Sequence, residues 1–526
     1  FQRSCSILIT RVNNHPRDIQ EVVLGDDIMS MNEFVAVARY GARVSFSRNY
    51  LERVNKSREL VERFLKENRL IYGVTTGFGY NVKKVISQED SEALQRNIVL
   101  SHSVSVGTPL PKEIVRGTLL MILLNLGQGY SGVRLEILQL VVEFLNRDIT
   151  PFMPGEGSIG GLLVESHIGL VLIGEGRAWF DGELLSGLEA LKKAKLQPVT
   201  LGIKEGLALS AGTTSVTAMG MLAIYNALQA VKTADIAAAM SLEALKGTVN
   251  ALDPRYHSVK KHQEQAITAR NMLRILAGSE IAEKYKEYRL QDATSLRGTP
   301  QMHGAVKKAL KDAADSITNE MNSASDNPII YPEDDDGVAL MGANFDGSYV
   351  GIYSDTMSIA MASLAKIAER RIDRLVNHHV SELPSFLIAN PGLNNGYMIP
   401  QYTAAGLLAE IRVLSHPGSV DSVPLSANQE DASFFGYSSS KKAYEISRKL
   451  EYILAIELMF ATQALDFHDP LKPSPATQAV HDFIRSQVPF LKEDRFLYAD
   501  IEAIHKQVHE GKIISAIELL VGEMEL

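Results

Sequence analysis

Apolar residues recur at helical spacing along most of the chain. Within residues 354–375, Met361, Leu364, Ala365, Ala368 and Ile372 fall at i, i+3, i+4, i+7 and i+11, which lines one face of a helix. Residues 219–246 and 450–461 are rich in Ala, Leu, Ile and Met nearly all round, the pattern of helices enclosed by other helices or by other subunits. The expected fold class is therefore mainly α, a deep bundle of long helices with a few short hairpins. One hairpin pairs Trp179 and Phe180 with residues 183–185 across Asp181-Gly182, a dipeptide that accepts positive φ in a tight turn. A second brackets residues 334–337. No fixed-period repeat and no low-complexity linker divides the chain. Residues 22–526 read as one α-rich catalytic unit, and residues 1–21 as an N-terminal extension of unknown role.

Composition narrows what such a bundle does. The chain has 526 residues, 45% of them hydrophobic, enough for a large core but silent on the number of domains. Against 62 acidic residues stand 53 basic ones, a net charge of -9 with no basic block to track phosphates, so no nucleic-acid partner is expected. Cys5 is the only cysteine, which removes intrachain disulfides and paired-thiolate sites and fits a reducing, cytoplasmic compartment. His378 and His379 lack ligand-like spacing with acidic partners and read as structural. No metal or other cofactor is expected. Apolar runs such as residues 117–126 fall short of the roughly 18 to 20 residues of a bilayer span, so no membrane partner is expected. Residues 1–20 lack the apolar core of a signal peptide.

The chemistry lies in loops. Ile71-Tyr72-Gly73-Val74-Thr75-Thr76-Gly77-Phe78-Gly79 places three glycines around two hydroxyls without the Lys-Ser/Thr ending of a phosphate loop. By itself it is an ordinary tight turn. Four further signatures follow in order: Asn97-Ile98-Val99-Leu100-Ser101-His102-Ser103, Gln291-Asp292-Ala293-Thr294-Ser295-Leu296-Arg297, Asn322-Ser323-Ala324-Ser325-Asp326-Asn327-Pro328, and Gly342-Ala343-Asn344-Phe345-Asp346-Gly347. Asn428-Gln429-Glu430-Asp431 closes the series. Together they resemble the histidine and phenylalanine ammonia-lyase family over nearly the whole chain from about Val22.

That resemblance implies a helical, fumarase/aspartase-like fold and a homotetramer whose active sites are assembled from loops of several subunits. It implies that Tyr72 is the base, a role that requires a positive field or hydrogen bonds favouring the phenolate. Arg297 matches the residue that pairs with the substrate carboxylate, and its planar fork suits that task. His102 and Glu430 match positions that face the substrate ring in the histidine-specific branch, a pair suited to an imidazole-like ring. Phe78, Gln291, Asn344 and Phe345 are carried over as further site residues by the same matching.

The departures from the family pattern suggest different chemistry. The family cyclises an internal Ala-Ser-Gly into a methylidene-imidazolone electrophile; here Gly157-Ser158-Ile159-Gly160 runs straight into Gly161-Leu162-Leu163. Two groups that support the electrophile are also replaced, an asparagine by Ala211 and a tyrosine by Thr294. A quaternary trimethylammonium already carries its positive charge, leaves as a neutral amine and cannot form an adduct. The expected function is thus a carbon-nitrogen lyase similar to ergothionase, releasing trimethylamine from the betaine ergothioneine to give thiourocanate, with Tyr72 and Glu430 as catalytic groups. Gly160, Gly161, Leu162, Ala211 and Thr294 would border the trimethylammonium, with Phe345 as an aromatic wall. Two other readings stay open: an electrophile-dependent histidine ammonia-lyase or aminomutase whose modified triad is absent from the written sequence, and a non-catalytic ligand-binding homologue.

Overall fold

Long apolar helices dominate the computed structural model, which describes residues 15–87, 89–332 and 336–526. Cys5 and most of the N-terminal extension lie outside the described residues. The backbone divides into two compact units, one formed by Phe1–Leu222, Asp315–Ile352 and Gly418–Lys441, the other by Ala223–Ala314, Tyr353–Pro417 and Lys442–Leu526. The helices Thr214–Ala244, Thr299–Met321, Ser348–Val376 and Gly436–Leu465 each contribute residues to both. The mainly α expectation holds.

The stripe expected at residues 354–375 lies within the Ser348–Val376 helix, and Met361, Leu364, Ala365, Ala368 and Ile372 are all buried. The Thr214–Ala244 helix is Ala-rich and enclosed, because a small side chain loses little entropy in a helix and lets neighbours approach on every side. Residues 205–244 are long and apolar enough to cross a bilayer by length and composition, but their most apolar window is wholly buried inside the chain. The sequence expectation considered only shorter runs; this longer one is a core element.

The strands among the described residues all belong to the first unit. Arg177–Phe180 and Glu183–Ser186 pair antiparallel with Phe180 opposite Glu183, and Asp181 and Gly182 take φ of 50° and 80°, as the Asp-Gly signal requires. Ile329–Tyr331 and Val338–Leu340 form the second expected hairpin; part of its tip, residues 333–335, lies outside the described residues.

Candidate functional site

In the first unit, the loop from Ile71 to Gly79 is held by its own hydroxyls. Thr75 Oγ1 accepts from Ile71 N–H at 2.9 Å and donates to Arg69 O at 3.0 Å, while Thr76 Oγ1 accepts from Gly73 N–H at 3.2 Å. Buried Gln95 fastens the loop to the Glu205–Ser210 helix: its side chain donates to Gly73 O and accepts from Leu207 N–H, both at 3.2 Å. Tyr72 emerges half-buried from this brace. Its phenol oxygen accepts from Gly79 N–H at 2.9 Å, and the Phe78 ring meets its ring edge-on at 6.4 Å. Gly79 has φ +54°, and a side chain there would lie 2.5 Å from Ser426 Oγ, so the loop abuts the segment that carries Glu430.

That segment is strained. Leu425 and Glu430 pair through hydrogen bonds of 2.7 and 3.3 Å, and the turn between them sets Ser426, Ala427 and Asn428 at φ 50°, 52° and 64°. Three successive non-glycine residues in the left-handed region cost on the order of 1–3 kcal/mol each, and such strain gathers where a side chain must be aimed. The half-buried residue it presents is Glu430.

His102 ends the Ser91–His102 helix. Its Nδ1 lies 2.8 Å from Ile98 O. A carbonyl only accepts, so Nδ1 carries the proton and Nε2 of the neutral ring is left as an acceptor. Burial lowers the His102 pKa, outweighing the opposing effects of the Ile98 carbonyl and the Glu430 carboxylate. Burial raises that of Tyr72; the Gly79 N–H works against the shift and the Glu430 carboxylate adds to it. The Glu430 carboxylate thus raises the pKa of both residues, Phe78 packs on Tyr72, and their loop abuts the turn that carries Glu430.

The segment where the family would place its electrophile is a tight reversal. Gly160 and Gly161 have φ of 140° and 71°, and Leu162 has φ 70° and ψ −51°. Leu163 N–H donates back to Gly161 O at 2.9 Å, which makes a γ-turn of the rare, strained hand. Leu162 N–H donates to Ser210 O at 2.7 Å. A Cβ on Gly161 would lie 2.7 Å from Gly212 O. Ala211, buried, caps the Glu205–Ser210 helix beside this contact. On either side of the turn, Ser158 Oγ, Glu165 Oε2 and His167 Nε2 are buried without a hydrogen-bond partner among the described residues. Glu165 Oε1 accepts from Ser215 N–H at 3.1 Å, next to the start of the Thr214–Ala244 helix. Burial raises its pKa above the usual carboxyl value, opposed by the Ser215 and Thr214 donors. Sequence reasoning missed Glu165 and Gln95; the one legible signal was a lone acid in the apolar Leu163–Leu172 helix.

Two more signatures meet in this unit. Ser325 Oγ accepts from Thr213 N–H at 3.2 Å, and Asn327 Oδ1 accepts from Gly342 N–H at 3.0 Å. Asn344 is exposed, with Nδ2 3.4 Å from Ala324 O, and Phe345 is half-buried. In the second unit, Gln291 and Thr294 are exposed and Arg297 is half-buried, its Nε donating to Asp292 O at 2.9 Å. Cavities of about 400 Å³ beside Trp179 and about 310 Å³ beside His468 are lined by none of these residues.

A family model described as aromatic amino acid lyase matches residues 29–486. Histidine ammonia-lyase of Symbiobacterium thermophilum is 46% identical over 500 residues, covering 94% of this chain and 98% of that protein. A crystal structure of histidine ammonia-lyase from Trypanosoma cruzi superposes with a TM-score of 0.89 at 33% identity, covering 95% of each chain. Ergothionase from Treponema denticola, in complex with desmethyl-ergothioneine sulfonic acid, gives a TM-score of 0.86 at 29% identity over 94% of this chain and 99% of its own. These similarities overturn the expected release of trimethylamine from ergothioneine: the chain is markedly more similar to a histidine ammonia-lyase than to ergothionase. The pocket assigned to three methyl groups loses its occupant with that function; in this chain Thr294 is exposed and Phe345 half-buried. The absent triad and Ala211 describe how the loop is built, Thr294 lies exposed in the second unit, and none of these changes by itself specifies the leaving group.

Proposed function

Because the chain belongs to the aromatic amino acid lyase family, we propose that it is a carbon-nitrogen lyase eliminating ammonia from histidine or a histidine-like amino acid. One observation carries the reading: the loop that holds Tyr72 abuts the strained turn that presents Glu430, whose carboxylate raises the pKa of both Tyr72 and His102. His102 Nε2 and the Glu430 carboxylate are two acceptors, the complement of an imidazolium ring with its two N–H donors. A phenyl ring would leave both acceptors unpaired, at about 1–3 kcal/mol for each buried group. Tyr72 takes the proton from the carbon next to the ring. Burial raises the pKa of its phenol, and the positive charges of the bound ammonium and imidazolium favour the phenolate that takes this proton. Arg297 anchors the substrate carboxylate within a homotetramer whose sites draw on several subunits.

The test is ammonia release from histidine, phenylalanine and tyrosine, with the conjugated acid followed by its ultraviolet absorbance. Histidine should be the one substrate turned over. No release from histidine, or equal release from phenylalanine, would sink the reading.

A further inference from the structure

We infer that this chain builds no internal electrophile, and that carbon-nitrogen cleavage in it depends on the substrate's own ring as the electron sink. The second half rests on the histidine-type reading; the first does not. A methylidene-imidazolone needs a central serine whose hydroxyl departs, and a following residue whose amide nitrogen can reach the carbonyl of the residue before the serine. Ser158 is the one serine between Gly155 and Ser166. The residue after it is Ile159, whose branched side chain crowds its own amide nitrogen and whose carbonyl is held by Tyr437 N–H at 3.2 Å. Downstream, Gly160, Gly161 and Leu162 offer no hydroxyl. Their backbone is already committed to the γ-turn and to Ser210 O. Ala211, beside the turn, carries a methyl group and supplies no side-chain hydrogen-bond donor. The residues present do not fit the group.

Without it, the electrons released at the β-carbon need another home. When Tyr72 removes the β-proton, the electron pair of that C–H bond moves into the protonated imidazole, which becomes neutral. The pair then returns to form the α,β double bond. The Cα–N bond breaks, its electrons leave on nitrogen, and the ammonium departs as neutral ammonia. Tyr72 gains one proton and no oxidant is needed. A phenyl ring has no N–H cation to neutralise, so phenylalanine lacks the sink. The chain's contribution is to hold the ring charged: Glu430 pairs with one N–H and His102 Nε2 accepts from the other.

Two measurements on the full chain test this. Intact mass spectrometry should return the mass of the unmodified sequence; a deficit of two waters overturns the electrophile-free half, whatever the substrate. Incubation with histidine in deuterium oxide, read by NMR, should show exchange at the β-carbon that survives borohydride or cyanide treatment and is lost in Tyr72→Phe. Exchange or ammonia release abolished by borohydride also overturns the electrophile-free half. Absence of both exchange and ammonia release overturns the ring sink together with the histidine reading, and leaves the mass result to stand by itself.

Discussion

Two acid-histidine pairs in this protein show opposite uses of the same side chains. In the second unit, Asp235 is fully enclosed: His303 Nδ1 lies 2.8 Å from one oxygen, Lys307 Nζ and Asn271 Nδ2 2.7 and 2.9 Å from the other. Burial alone would raise the Asp235 pKa; the Lys307 cation and the His303 hydrogen bond reverse that and hold it low. Burial lowers the pKa of His303 despite Asp235, so the pair is a carboxylate with a lysine counter-charge and a neutral imidazole donor. Both Asp235 oxygens are spent on the fold, and the unpaired His303 Nε2 is buried where no ligand reaches it. In the first unit, His102 uses Nδ1 on its own helix and keeps Nε2, while Glu430 is held out on a strained turn and stays half-buried. Complete enclosure makes a structural group even where one ring nitrogen stays unpaired; partial burial with an acceptor left over makes a binding one.

The sharpest way to break this contrast is Tyr72→Phe. Removing the phenol should cost roughly 10²- to 10⁴-fold in kcat with an unchanged melting temperature, since its one hydrogen bond is to a half-buried amide. Retained turnover would remove the base. Next, Asp235→Asn should cost about 3–5 kcal/mol in urea unfolding, because Lys307 is left buried without its counter-charge. Glu430→Gln should shift stability by less than about 0.5 kcal/mol while lowering kcat/KM for histidine. A stability loss at Glu430 as large as at Asp235 would erase the distinction.

Smaller effects sharpen it. Gly161→Ala forces a Cβ to within 2.7 Å of Gly212 O at φ +71°, whereas Gly182→Ala meets nothing within 4 Å at φ +80°. The first should cost about 1–3 kcal/mol and the second distinctly less; equal losses in thermal denaturation would mean that positive φ, not the close approach, sets the cost. The smallest effect concerns pH. Burial, aided by Arg177, pushes the His167 pKa down to about 4. An unfolded histidine titrates near 6.5, so between those values the unfolded chain takes up a proton that the folded chain refuses, and stability falls as pH drops from 6.5 toward 4. His167→Gln should flatten that part of the stability curve. An unchanged slope would assign the loss to other groups.

Much of the architecture was legible because it follows periodicities that a local reading detects. The buried stripe from Met361 to Ile372 and the Asp181-Gly182 hairpin are set by neighbours a few residues apart. The tyrosine, histidine and glutamate of the site were legible as motifs, though not as a cluster. The γ-turn at Leu162 was not legible, because leucine has no local preference for positive φ and takes it here only when Gly161 is pressed against Gly212 and Ser210 accepts its amide. Nor was the left-handed run at Ser426, Ala427 and Asn428. The trimethylamine reading went astray by treating three missing groups as the signature of a leaving group, when residues spread over the whole chain are more similar to a histidine ammonia-lyase.

The sequence by itself determined that the chain is a mainly helical aromatic amino acid lyase, that it has no Ala-Ser-Gly to cyclise, and which tyrosine, histidine and acid the family motifs supply. These are properties of residue identity and short-range spacing. Tertiary structure decided that the Tyr72 loop abuts the turn carrying Glu430, that His102 keeps Nε2 as an acceptor, and that Asp235 and His303 are sealed away. Burial, counter-charge and hydrogen-bond direction depend on what segments far apart in the chain bring to one place, and no local pattern of residues encodes them.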